Sequence, residues 1–218
     1  MIVQIAGIKN KEEALECVKV NVDAIGLLVG RMHESNDFID EKTAKEIIDS
    51  LPAFVFSVMI THLEDAEEII KVAKYIGCNT IQLHSSIKEE EVDKIKKALP
   101  YIKLLRLIHI SSEGEIVTDI SKMKNVDAYF LDSFNVVTNQ VGGTGLTHNW
   151  DVDKRLCATL DKPVIIAGGL NPENVKDAIN YSNPFGVDVN SGTKASNGYR
   201  DMDKVKRFTE NAKNARRQ

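Results

Sequence analysis

The stretch PVIIAGGLNPEN at residues 163–174 contains the pattern that decides the fold. It opens with a short β-branched run that is apolar at every position, which predicts a strand buried on both faces. Two glycines follow and predict a tight turn whose backbone N–H groups can approach a ligand. Asn171 and Pro172 then predict the N-cap and first turn of a helix. A helix start beside a Gly-Gly turn suits a phosphate group, although tight turns also use glycine without binding anything.

Strand-like and helix-like segments alternate along the whole chain. Helical periodicity places apolar residues on one face of residues 64–75 and of residues 88–99, with Lys and Glu on the other faces. Eight strands, each followed by a helix, leave two architectures, a closed (β/α)8 barrel and an open doubly wound sheet. The predicted strands are residues 2–6, 23–29, 53–59, 79–83, 102–108, 127–132, 163–167 and 185–189.

The positions of the glycine-rich turns favour the closed barrel. An open sheet usually carries such a turn after its first strand, but residues 7–10 read GIKN. The glycine-rich turns follow the sixth, seventh and eighth predicted strands, and barrel phosphate sites cluster after the last two strands. We therefore predict one (β/α)8 TIM-barrel domain over residues 1–218.

Composition and charge limit the partners of this chain. Its 218 residues are 43% hydrophobic and carry a formal net charge of -4, with both signs spread along the sequence. No basic face indicates nucleic acid binding, and no signal peptide or membrane-spanning run is apparent. Three scattered cysteines indicate neither a disulfide framework nor a zinc site. We expect a cytoplasmic monomer or homodimer that uses no metal or cofactor.

Three glycine-rich turns contain the candidate ligand-binding residues. Because the carboxyl ends of barrel strands share one face, we expect these turns to meet at the barrel mouth. Together they predict a site for a phosphorylated small molecule. The candidates are Gly142, Gly143, Gly145, Gly168, Gly169, Asn190, Ser191 and Gly192.

Two carboxyl groups end predicted strands. Asp132 ends the sixth strand and Asp188 the eighth, and side chains at such ends face the mouth of a barrel. A partly apolar mouth can raise a carboxyl pKa far enough for general acid catalysis. A helix-capping or loop-bracing role stays open for both residues.

Six short motifs, in order, resemble those of phosphoribosylanthranilate isomerases. They read QIAGI at 4–8, QLHS at 82–85, LD at 131–132, GGTG at 142–145, GGLNPEN at 168–174 and VDVNSG at 187–192. The resemblance extends from residue 2 to about residue 213. It implies a (β/α)8 barrel and an Amadori rearrangement, in which an N-ribosyl aminoaldose 5-phosphate opens and becomes the aminoketose. It also implies that Asp132 is the acid and that the glycine turns and Ser191 hold the phosphate.

The chain departs from the family pattern at the catalytic base and at one substrate contact. Ala6 occupies the position of the family's cysteine base, so that role is empty. Asp37 occupies the position of an arginine that contacts the anthranilate part of the substrate, and we expect Asp37 to repel an anionic ring. Gln4 replaces a lysine of the first strand, whereas Arg106 keeps the charge of a lysine of the fifth and is a candidate substrate-binding residue.

Histidines are the candidate replacements for the missing base, because imidazole titrates near neutral pH. His84 matches a family position after the fourth strand. His109 and His33 are further candidates, although a solvated loop position explains both more simply than a catalytic role. His62 and His148 are weaker candidates.

Three functions fit these residues. The leading hypothesis is an aldose–ketose isomerase acting on a phosphoribosyl or related sugar phosphate that need not be phosphoribosylanthranilate, because the phosphate end is kept while the base and ring contacts are changed. The second is the family's own reaction in tryptophan biosynthesis, with the base supplied by another residue. The third is a non-catalytic phosphosugar-binding protein.

Overall fold

Short apolar segments form the strands of this protein, and the amphipathic segments between them form its helices. The computed structural model describes residues 1–30, 36–111, 113–135, 140–141 and 150–215. The strands are β1 (Ile2–Ala6), β2 (Ala24–Leu28), β3 (Phe56–Thr61), β4 (Thr80–Leu83), β5 (Lys103–Ser111), β6 (Ala128–Asn135), β7 (Gln140–Val141), β8 (Val164–Ile166) and β9 (Gly186–Val189). The α-helices are α1 (Lys11–Lys19), α2 (Glu41–Ser50), α3 (Ala66–Ile76), α4 (Glu89–Ala98), α5 (Trp150–Thr159), α6 (Val175–Ser182) and α7 (Met202–Lys213).

Eight parallel strands close into a barrel. Neighbouring strands follow the order β5-β4-β3-β2-β1-β9-β8-β6, and β5 pairs with β6 to complete the ring. The two-residue β7 pairs antiparallel with the end of β6 and stands outside this ring. The predicted (β/α)8 barrel is therefore confirmed, since an open sheet would leave two unpaired edges.

Side-chain alternation divides the core into an outer shell and a lumen. Outward-facing strand residues such as Ile5, Ile25 and Ile81 are fully buried beneath the helices. Inward-facing residues form two smaller apolar groups, with polar side chains between them. One group contains Leu105, Leu107, Ala128, Phe130, Ile165 and Ala167, and the other contains Ala6, Ala24, Leu28, Val58 and Ile60.

Several helices begin at a side-chain cap that follows directly on a loop of the barrel mouth. Asn10 Oδ1 accepts from Glu13 N over 2.8 Å, and Asp40 and Asp65 cap α2 and α3 in the same way. Each such cap contributes about 1 kcal/mol and fixes where the loop ends. In the described ranges, no helix is long and apolar enough to cross a membrane.

Three local predictions differ from the structure. The third strand begins at Phe56, because Phe54 is fully exposed in a turn with φ of +71° despite its apolar neighbours. No α-helix follows β5 in the described ranges, and a short 3-10 helix, Ile120–Lys122, takes its place. Asn171 is not the N-cap of α6, because its Oδ1 accepts from Glu173 N and Asn174 N in a turn that precedes the helix.

Candidate active site

A chain of hydrogen bonds crosses the lumen to His84, which lies next to Asp132. Gln4 Nε2 on β1 donates to Gln82 Oε1 on β4 over 3.0 Å. The Gln82 amide therefore presents Nε2 to His84 Nδ1, 3.1 Å away, so His84 carries its proton on Nε2. His84 Nε2 lies 3.6 Å from Asp132 Oδ2. Because both its nitrogens face partners, His84 is better placed to orient Asp132 than to act as the base.

Asp132 lies on β6 and points into the lumen. Ser133 N donates to its Oδ1 over 2.7 Å. A Cβ added at Gly168 would lie 3.1 Å from the same oxygen, so the first glycine of the Gly-Gly turn makes room for this group. His109 stands opposite Asp132 in the β5–β6 ladder. Asp132 thus lies at the mouth, as predicted.

Asp188 is the second carboxyl group of the lumen, and its environment differs. It is 6% exposed, and its Oδ1 has no hydrogen-bond partner among the described residues. Burial and the negative charge of Asp132 raise the pKa of Asp188 to about 8, against the opposing effects of Gln4 and Arg200. Asp188 is therefore protonated and neutral at pH 7.

The strand register places these two carboxyl groups in one layer of the barrel. Continued by one residue each, the β6–β8 ladder sets Asp132 beside Ala167, and the β8–β9 ladder sets Ala167 beside Asp188. Two strand spacings separate their backbones, roughly 10 Å. Ala167, which lies between them, contributes only a methyl group to the lumen. We call Gln4, Gln82, His84, Asp132 and Asp188 the lumen cluster.

Three imidazoles line one side of the mouth. The ring centroids of His62 and His84 are 5.0 Å apart. Burial, and next the neighbouring His84, lower the pKa of His109 to about 4, against the attraction of Asp132, so His109 is neutral at pH 7. His62, which the sequence made a weaker candidate, lies two residues beyond Ile60. Because alternate strand residues share a face, His62 points inward with Val58 and Ile60. His33 and His148 lie outside the described residues.

Two of the predicted glycine turns lie against one another. Gly168 and Gly169 have φ of +77° and +68°, a backbone conformation that favours glycine. A Cβ on Gly192 would overlap the carbonyl oxygen of Leu170, so the turns after β8 and β9 pack in direct contact. Within the described part of the chain, the N–H groups of Gly169, Leu170 and Gly192 donate to no protein acceptor. Gly142, Gly143 and Gly145 lie outside the described residues.

Asp37 follows β2 and lies among cations at the rim of the mouth. Lys194 Nζ is 2.5 Å from its Oδ2, Lys9 Nζ is 3.6 Å from its Oδ1, and Asn190 Nδ2 donates to Oδ2 over 3.0 Å. Burial opposes ionisation of Asp37, but hydrogen bonds from Lys194 and Asn190 bring its pKa below the ordinary value. Two ammonium groups therefore lie beside this one carboxylate, and the repulsion of an anionic ring by Asp37 stays a prediction. We call Asp37, Lys9, Lys194 and Asn190 the rim cluster.

Arg200, which the sequence did not single out, ties the rim cluster to the barrel. Its guanidinium donates to the backbone oxygens of Gly7 and Asn190 and, over 2.9 Å, to Asn190 Oδ1. Its backbone N donates to Glu13 Oε1. The guanidinium therefore fixes the loops after β1 and β9 relative to each other. An arginine in a polar C-terminal segment gives no pattern from which this role could be read.

Arg106 faces away from the lumen, which corrects its prediction as a substrate-binding residue. Its guanidinium donates to both carboxylate oxygens of Glu89, over 2.6 and 3.1 Å, and to the carbonyl of Lys124. Successive residues of a strand point to opposite faces. Leu105 and Leu107 flank Arg106 on β5 and point into the lumen, so Arg106 points outward.

No thiol takes over the role that is empty at Ala6. Ala6 faces the lumen among small apolar neighbours. Burial raises the pKa values of Cys17, Cys78 and Cys157 to about 12, so all three are thiols near neutral pH. Across the described ranges, no group of His, Cys, Asp and Glu is arranged to hold a metal ion.

The closed barrel, with contacting glycine turns and titratable side chains in its mouth, defines the kind of site that (β/α)8 enzymes build at the C-terminal ends of their strands. The chain belongs to the N-(5'-phosphoribosyl)anthranilate isomerase family, whose model matches residues 3–211.

Individual relatives match over nearly their whole length. N-(5'-phosphoribosyl)anthranilate isomerase 2 of Methanosarcina mazei is 40% identical over 214 residues, covering 98% of this chain and 95% of that protein. The crystal structure of the Thermotoga maritima phosphoribosyl anthranilate isomerase superposes with a TM-score of 0.83 at 34% identity, covering 98% of this chain and 99% of that one. A phosphoribosyl anthranilate isomerase structure in complex with reduced 1-(o-carboxyphenylamino)-1-deoxyribulose 5-phosphate superposes with a TM-score of 0.77 at 31% identity, with the same coverage of both chains.

Proposed function

We propose that this protein isomerises N-(5'-phosphoribosyl)anthranilate to the carboxyphenylamino-deoxyribulose 5-phosphate. The names of its relatives favour this reaction over a different sugar phosphate, so the second of the three sequence hypotheses replaces the first. The observation that carries the proposal is the placement of Asp132, which lies in the lumen 3.6 Å from His84 and beside the glycine turn that begins at Gly168.

The two ends of the substrate have separate supports in this proposal. The N–H groups of Gly169, Leu170 and Gly192 bind the phosphate, because they point a positive dipole toward an anion and have no other described acceptor. The two ammonium groups of the rim cluster bind the ring carboxylate. The sugar carbons then lie over the lumen cluster. Proton transfers alone complete the rearrangement, so we propose no metal or cofactor.

The test is a fluorescence assay with freshly made phosphoribosylanthranilate. We expect the anthranilate signal to change at a rate proportional to the protein concentration. Asp132→Asn should lower kcat about 10³-fold or more, because positioned proton transfer contributes about 10²–10⁴-fold and the amide cannot exchange a proton. Asp177→Asn, on the exposed face of α6, is the matched control and should leave the rate unchanged.

Two outcomes would contradict the proposal. If the wild-type protein gives no turnover while ribose 5-phosphate still raises its melting temperature, the site binds sugar phosphates without this chemistry. If Asp132→Asn keeps the wild-type rate, Asp132 is not the proton-transfer group. Sedimentation of the same preparation will establish whether the working form is a monomer or a homodimer.

A further inference from the structure

We propose that Asp188 donates the first proton of the reaction and that Asp132 accepts the second, so that two carboxyl groups together replace the base absent at Ala6. This inference rests on the proposed function and assigns the roles within it. It differs from the resemblance, which gives Asp132 the role of acid and leaves the role of base without a residue.

The geometry provides a pair of groups that can act on one sugar from two sides. Asp132 and Asp188 lie in the same layer, separated by the small Ala167. Asp188 is nine-tenths buried, and its Oδ1 reaches no donor or acceptor among the described residues. A buried carboxyl oxygen without a partner is costly, and a ligand hydroxyl or ring oxygen in the lumen would supply the missing hydrogen bond.

The surroundings decide which carboxyl group holds the proton. Asp188 faces the negative charge of Asp132 from β6, the neutral amide of Gln4 from β1, Ala167 from β8, and Arg200, whose guanidinium is already bound to backbone oxygens. Asp132 instead receives the Ser133 N–H over 2.7 Å and faces the protonated nitrogen of His84. Two nearby carboxyl groups cannot both ionise easily, so a single proton resides on Asp188.

The first half of the reaction consumes that proton. Asp188 gives its proton to the ribose ring oxygen, the bond between C1 and this oxygen breaks, and the nitrogen lone pair forms a C1=N iminium. Asp132 then takes the proton from C2. The electron pair of that C–H bond forms C1=C2, and the C1=N electrons return to nitrogen.

The second half restores both groups. The C2 hydroxyl gives its proton to the Asp188 carboxylate as the C2=O bond forms. The C1=C2 electrons then take the proton that Asp132 holds, which makes C1 a methylene. The aminoketose leaves with Asp188 protonated and Asp132 ionised, so no further acid, base or oxidant is required.

Asp188→Asn is the variant that separates a proton donor from a binding group. Asparagine keeps the shape and the neutral state of the protonated acid, so binding through a neutral hydrogen bond would survive. We expect kcat to fall about 10²–10³-fold with KM changed less than threefold, because the amide cannot give up a proton. Asp177→Asn is again the control, and melting curves check that both variants are folded.

A second substitution sharpens the assignment. Ala6→Cys adds a thiol at the mouth, which can supply a base to the Asp132→Asn protein, where the donor Asp188 is still present. We expect Ala6→Cys to recover at least tenfold of the lost kcat in Asp132→Asn and nothing in Asp188→Asn, which still lacks its proton donor. Rescue of neither variant, or equal rescue of both, would overturn the assigned roles.

The pH–rate profile tests the same roles without a variant. The wild-type kcat should fall above about pH 8, where the donor becomes ionised. Wild-type turnover with an unchanged kcat in Asp188→Asn overturns this inference and leaves the proposed function standing. Absence of turnover in the wild-type protein overturns the proposed function itself, and the role of Asp188 with it.

Discussion

The lumen cluster and the rim cluster both hold charged groups at one barrel mouth, but they stabilise them in opposite ways. In the rim cluster, the Asp37 carboxylate has ammonium groups at 2.5 and 3.6 Å. In the lumen cluster, no cation of the described residues lies within hydrogen-bond reach of Asp188, and one of its oxygens has no partner among them. The ion pairs of Asp37 favour a fixed geometry. Asp188 is buried without such a partner and therefore keeps its proton. The comparison supports our proposal that the rim binds the substrate and that the lumen performs the chemistry.

The largest effect on stability should follow from replacing Asp188, the buried acid of the lumen cluster. The folded protein holds the Asp188 proton up to about pH 8, whereas the ordinary value is 3.8. Because the folded state binds more protons in that window, the free energy of unfolding should fall as pH rises from about 4 to about 8, by up to about 1.4 kcal/mol per pH unit. Asp188→Asn should flatten this slope in urea denaturation, with Asp177→Asn as the control. An identical slope in both variants would remove Asp188 as its source.

The second-largest effect on stability should come from reversing the charge of Asp37 in the rim cluster. Asp37→Arg restores the family residue but places a new cation beside Lys9, Lys194 and Arg200, so we expect a loss of about 3 kcal/mol in unfolding free energy. Adding Lys194→Glu supplies an anion for the new arginine and should recover more than half of that loss. Denaturation of the single and double variants measures both values. A stable single variant would show that the rim charges do not act as a unit.

A smaller effect should follow from deleting one rim cation. Lys194 is partly exposed, so its contact with a ring carboxylate is worth the low end of a charge-assisted bond. Lys194→Met should raise KM for phosphoribosylanthranilate roughly tenfold, with kcat within threefold, since tenfold corresponds to about 1.4 kcal/mol. Lys45→Met breaks a comparable Lys–Asp pair on the surface of α2 and is the matched control. Equal KM values for the two variants would exclude Lys194 from recognition.

The two clusters also differ in how well the sequence predicts them. Lumen residues lie on strands, where period-2 alternation fixes their direction, so Asp132 and Asp188 could be placed from their strands alone. The same parity would have pointed Gln4, Gln82 and His62 inward. The rim joins Asp37 to Lys194, 157 residues apart, through loops whose course depends on the Arg200 hydrogen bonds. No local periodicity encodes such a contact, so the sequence could not predict the ion pair between Asp37 and Lys194.

The smallest effect on catalysis should come from Arg106, which belongs to neither cluster. Its guanidinium is buried on the outer side of β5 and is bound to both oxygens of Glu89 at the start of α4. Arg106→Met should leave kcat and KM within twofold, because no lumen contact is lost. It should lower the free energy of unfolding by about 1–3 kcal/mol, since Glu89 and the Lys124 carbonyl lose their donors. A raised KM with unchanged stability would return Arg106 to the substrate site and contradict the parity of β5.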